Sequence, residues 1–155
     1  MIRGKQFIVL IGIFLLVLSC RPVLYAHCQV PCGIYDDQMR IKMIAEHITT
    51  IEKAMNQVIE LSKEEKPNYN QIVRWVTNKE KHAEDLSDII TYYFMAQRIK
   101  IPKKDTEKSG CRVQLELLHH LLVYTMKAKQ TTDLSLIETM RKTLKKFEEL
   151  YFKKK

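Results

Sequence analysis

The sequence of 155 residues predicts an all-α fold, an up-down-up-down four-helix bundle behind a short N-terminal segment bearing Cys and His. Three observations predict it. Apolar residues recur at spacings of three and four through four stretches, which is the period of a helix with one buried face. Four glycines and four prolines are too few for the frequent tight turns of a β-sandwich, a barrel or a Rossmann unit. The breaks between the periodic stretches are mostly short, which favours antiparallel neighbours. Charged residues make up 28% of the chain, and most fall inside the periodic stretches, which excludes general disorder.

The first helix is expected after Tyr35, with Asp36 or Asp37 as its cap. Its apolar stripe is Ile41, Ile44, Ile48, Ile51, Met55, Val58 and Ile59, ending near Ser62. Lys66-Pro67-Asn68 breaks the pattern. A second helix runs from about Tyr69 to Arg98, with Ile72, Val76, Ala83, Leu86, Ile90 and Tyr93 facing inward, until Ile101-Pro102 ends it. The polar run through Gly110 reads as a loop. The third helix covers about Val113 to Ala128 and carries Leu117, Leu118, Leu121, Leu122 and Met126. After a short connection, Asp133 or Ser135 caps the fourth helix, and Ser135 with Glu138 fits a capping box. Leu136, Ile137, Met140, Leu144, Phe147 and Tyr151 form its stripe.

The leading segment has a separate character. Arg3 and Lys5 precede an apolar run from Phe7 to Leu18, too short to span a bilayer and right for a signal-peptide core. Leu24-Tyr25-Ala26 places a small residue before a cut ahead of His27. Residues 1–26 are therefore expected to be an export signal, leaving one domain at 27–155 that works in a periplasm or outside the cell. Val17-Leu18-Ser19-Cys20 also loosely resembles a lipobox, and lipidation at Cys20 is the competing processing route. Loss of Arg3, Lys5 and Arg21 takes the formal charge from +8 to +5. No nucleic-acid partner is expected from so mild a charge, and no membrane span in the mature chain.

The chemistry is concentrated in His27-Cys28-Gln29-Val30-Pro31-Cys32-Gly33-Ile34-Tyr35. Pro31 fixes φ and Gly33 permits a positive one, so the segment can turn both thiols toward one centre. Three readings compete. One is a Cys28–Cys32 disulfide, whose small ring contributes little stability. Another is zinc, for which only three of about four protein side-chain ligands are at hand locally. The third uses the backbone: with His27 as the terminus, its amine, the Cys28 amide nitrogen and two thiolates make a planar N₂S₂ set for Ni(II) or Cu(II).

His27, Cys28, Pro31, Cys32 and Tyr35 match, in order and spacing, the His-Cys-x-x-Pro-Cys-x-x-Tyr hook of the nickel-containing superoxide dismutases, which this sequence resembles. The resemblance implies one nickel ion per subunit held by His27, Cys28 and Cys32, with the His27 imidazole axial in the oxidised state. It implies dismutation of superoxide to oxygen and hydrogen peroxide through a Ni(II)/Ni(III) cycle, in a homohexamer of four-helix bundles. It also implies that Tyr35 and Tyr93 hydrogen-bond the approaching anion or water and restrict access. The alternative is a non-enzymatic exported protein or lipoprotein that carries nickel or copper.

The sequence departs from the family at several positions. Gln29 stands where many members have Asp, and Asp37 where they have Pro. The Glu and Arg that steady the axial imidazole in the family correspond to Lys42 and His82, with Glu46 one turn beyond as a possible substitute. Elsewhere, His119 and His120 point about 100° apart on a helix and cannot share one centre. The methionines along the four helices read as core filling, and Cys111 as a lone thiol, structural or half-buried, with a bridge between subunits as the alternative.

Overall fold

The computed structural model describes residues 33–153, together with Gln6 and Pro31. Four helical elements follow one another: α1 (Asp37–Ser62), α2 (Tyr69–Asp88, continuing as a π-helical segment over Ile89–Arg98), α3 (Asp105–Gln130) and α4 (Ser135–Lys153). Each helix packs on the next, and α1 packs on α4, so the four close into an up-down-up-down bundle. Among the described residues no helix is long and apolar enough to cross a membrane.

Local chemistry accounts for the helix ends. The Asp36 carboxylate accepts a hydrogen bond from the Met39 amide at 2.8 Å, so Asp36 caps α1 and Asp37 becomes its first residue. Asn68 does the same for α2 through the Gln71 amide. At α4 the Asp133 carboxylate accepts from the Ser135 amide at 3.0 Å, and the Ser135 hydroxyl, then this amide, hold its pKa below the usual value. Ser135 is thus the first helical residue, and Asp133 takes the capping role in place of a Ser135–Glu138 box.

Two expectations need correction. The run before Val113 is helical from Asp105, not a loop. Asp105 and Glu107 lie at the positive end of the helix dipole, and Lys108 pairs with Asp105 at 2.6 Å. These turns are polar because they are solvated, and Gly110 is accommodated inside the helix at a modest cost. Met126 is about half exposed, and Met39 likewise, so neither fills the core. The buried stripe of α3 runs through Gln114, Leu118, Leu121, Thr125 and Ala128 instead. Its two polar members are satisfied: Gln114 donates to the Leu150 carbonyl and Thr125 to the Leu121 carbonyl.

The core joins the isoleucines of α1 to Ala83, Leu86 and Ile90, to Leu118 and Leu121, and to Ile137, Met140 and Leu144. Toward one end it becomes aromatic. Phe94 packs edge-on against Phe147 and Tyr151, with centroids at 5.1 and 5.5 Å. Arg141 and Glu52 tie α4 to α1 with two bonds at 2.9 and 2.8 Å. Trp75 is half-buried on α2, with the Lys53 ammonium of α1 5.8 Å from its ring centre.

Lys79, 4% exposed, sends its ammonium to the carbonyls of Lys129 and Thr131 at the end of α3, at 2.8 and 2.9 Å. It neutralises the negative end of that helix, and burial holds its pKa below the ordinary lysine value. Lys79→Met is expected to cost about 2 kcal/mol, since two carbonyls lose a charged donor. An unchanged denaturation midpoint at neutral pH would show that this cap contributes nothing.

Candidate functional site

The bundle topology brings the start of α1 and the ends of α2 and α4 to one end. There Asp37, with its side chain 6% exposed, accepts hydrogen bonds from three described side chains. Tyr93 donates to Oδ1 at 2.7 Å and Tyr151 to Oδ2 at 3.0 Å. Arg98 grips the same two oxygens at 2.7 and 2.9 Å through Nε and Nη2. A bidentate guanidinium with two phenols saturates the carboxylate and fixes all four side chains. Burial and the bond to Asp37 push the Tyr93 phenol above its ordinary pKa, and the same carboxylate raises that of Arg98.

The π-helical segment makes this convergence possible. In an α-helix, residues five apart point about 140° away from each other. Here the bonds run from each amide to the fifth residue back, as in Ile99 to Phe94 at 2.8 Å. That pattern brings residues five apart close to one line, so Tyr93 and Arg98 both face Asp37.

Tyr35 is held from two sides. The Arg98 guanidinium lies 4.2 Å from its ring centre, and the Tyr93 ring meets it edge-on at 5.9 Å. Arg40 stacks over the other tyrosine, 5.1 Å from the Tyr93 centre. Just before Tyr35, Gly33 has φ of 84°, the left-handed turn anticipated beside Cys32. The two tyrosines expected at the site are thus neighbours. A cleft of about 560 Å³ lies behind them, lined by Arg98, Lys100, Cys111, Gln114 and Tyr151 among others, and neither Tyr35 nor Tyr93 lines it.

The expected metal ligands His27, Cys28 and Cys32 lie outside the described residues, as do Cys20 and the cut before His27. The residue types of that segment fit nickel. Two thiolates and an amide nitrogen form an electron-rich donor set suited to a square-planar ion, and Arg40 and Arg98 supply positive charge beside Tyr35 and Tyr93. Arg40 Nε is the one buried side-chain nitrogen or oxygen among the described residues without a hydrogen-bond partner.

His82 does not join this cluster. It lies on α2 about 16 Å before Tyr93 along the helix axis, and its Nδ1 is 2.8 Å from Nδ1 of His47. Burial, and then the facing His82, push the His47 imidazole below its ordinary pKa. Lys42 and Glu46 are both solvent-exposed on α1. His119 is exposed and His120 half-buried against Tyr124, as their angular separation requires. Cys111 is half-buried and donates to the Lys100 carbonyl at 3.7 Å.

The described residues form a four-helix bundle whose one end gathers two tyrosines, two arginines and a buried carboxylate, a few residues along the chain from Cys32. A family model described as nickel-containing superoxide dismutase matches residues 23–155. The chain belongs to the nickel-containing superoxide dismutase family, and its activity and its nickel cofactor follow from that membership. No curated protein and no solved structure matches it.

Sequence reasoning missed Asp37, Arg98, Tyr151 and Arg40. One signal was available for the first: of two adjacent acids at a helix start only one can cap, so the other is free for another role.

Proposed function

We propose that the His27 amine and imidazole, the Cys28 amide nitrogen and the Cys28 and Cys32 thiolates would hold the nickel. Bound there, the ion would supply a one-electron couple between its divalent and trivalent states, accepting an electron from one superoxide, which leaves as oxygen, and returning it to a second, which leaves as hydrogen peroxide with two protons taken up. The observation that carries this reading is the position of Tyr35, clamped by Arg98 and Tyr93 only three residues after Cys32. Three residues of chain reach no farther than about 11 Å.

The chain's own side chains divide the work. Arg40 and Arg98 give the approach a positive potential that draws a small anion. Tyr93 has committed its proton to Asp37, so it positions Tyr35 and closes one side of the path. Tyr35 makes no hydrogen bond to any described residue, so its hydroxyl is available to hydrogen-bond the incoming anion or water. The protein is exported before the hook forms, because only removal of residues 1–26 frees the His27 amine.

Several copies assemble as a homo-oligomer, a hexamer by the family resemblance. Ile34, Met39, Tyr92 and Ile101 are exposed apolar side chains near this end of the bundle, a surface that another copy would cover.

Intact-mass measurement on protein from its native compartment tests the reading. The expected result is a chain starting at His27 that carries one nickel under non-denaturing conditions and loses it on denaturation. A chain starting at lipidated Cys20 would leave His27 without a free amine and overturn the ligand set.

A further inference from the structure

We propose that His47, His82 and Asp85 form a second metal site between α1 and α2, separate from the nickel hook, which takes zinc. One ligand atom from each of the three lies within 4.8 Å of the others. His82 and Asp85 are three apart on α2 and so share a face, while His47 comes from α1. Facing helices of bundles commonly hold metals in this way.

Two imidazole nitrogens and a carboxylate oxygen, with water in the fourth position, are a donor set that zinc accepts in open tetrahedral sites. Two nitrogens bound to one zinc stand about 3.3 Å apart, given bonds of about 2.05 Å. The His47 and His82 Nδ1 atoms are already 2.8 Å apart and point at each other. Binding therefore asks for a small opening of the rings and an inward turn of Asp85. All three residues are half-buried, so water and metal reach them without unfolding the bundle.

The ordinary alternative is a hydrogen bond between two imidazoles that joins α1 to α2. Lys81 discriminates the two. Its ammonium is paired with Asp85 Oδ1 one turn away and competes with a cation for that oxygen. Lys81→Met frees the carboxylate, which strengthens a metal site and leaves an imidazole pair unaffected.

The test is equilibrium dialysis of the nickel-loaded protein against zinc chloride, with both metals counted per subunit. Wild type is expected to take up one zinc at concentrations on the order of micromolar while keeping its nickel. His47→Gln and Asp85→Asn are expected to lose at least about tenfold in zinc affinity, and Lys81→Met to gain several-fold. Nickel content and helicity of the variants stay at wild-type values. The proposal is overturned if zinc is not taken up, if His47→Gln binds it as well as wild type, or if zinc enters only as nickel leaves. Failure with nickel retained leaves the dismutase reading intact.

Discussion

Replacing Asp37 with alanine is expected to lower the melting temperature by about 10 °C, from a loss of about 3–5 kcal/mol. The substitution does more than delete bonds. It removes the carboxylate that pairs the Arg98 guanidinium, 17% exposed, and that accepts from the Tyr93 and Tyr151 phenols. An unpaired charge in that position costs more than the pair contributes. The Asp37→Ala/Arg98→Met double variant should therefore lose clearly less than the two single variants added together. A melting temperature within about 2 °C of wild type for Asp37→Ala would show the four-way contact to be energetically idle. Because Arg98 also clamps Tyr35, dismutase activity is expected to fall with it.

The largest effect on activity is expected at the hook. Cys28→Ser or Cys32→Ser should reduce nickel from one per subunit to a trace and activity by more than about a hundredfold. A serine hydroxyl stays protonated at neutral pH and offers a hard oxygen where a soft thiolate is required. Stability should change little, because among the described residues the hydrophobic core contains none before Ile41. Melting curves separate the two kinds of failure: Asp37→Ala unfolds early, whereas the cysteine variants melt near wild type without activity. Full nickel and activity in both cysteine variants would end the ligand assignment.

The helices were legible where apolar residues set the period. Ile41, Ile44, Ile48 and Ile51 on α1, and Ile137, Met140, Leu144 and Phe147 on α4, are all buried as their spacing requires. The reading failed where polar atoms took core positions. Gln114 and Thr125 hold places in the buried stripe of α3 because each finds a carbonyl partner, a condition that a hydropathy pattern does not record. It failed again at residues 105–110, where solvation and an acidic first turn look the same in composition as a loop.

The site was half visible. Tyr35 and Tyr93 carried a motif and a family likeness, and the fold places their rings together. Asp37, Arg98 and Tyr151 lie 61 and 114 residues apart along the chain, measured from the carboxylate. Only the closure of the bundle and the change of helical register near Ile89 bring them together. A charge at a helix start and another at a helix end have no one-dimensional signature of their pairing.

The π-helical stretch makes the site sensitive to residue count rather than only to residue type. Between Tyr93 and Arg98, adding a single position at the same π pitch would swing the guanidinium about 80° around the axis. Nothing before Ile89 would need to move. The connection over residues 99–104, by contrast, has no such phase to keep and can absorb insertions. In this bundle the tolerance of the chain to changes in length is thus set locally: strict along one decapeptide, lenient immediately after it.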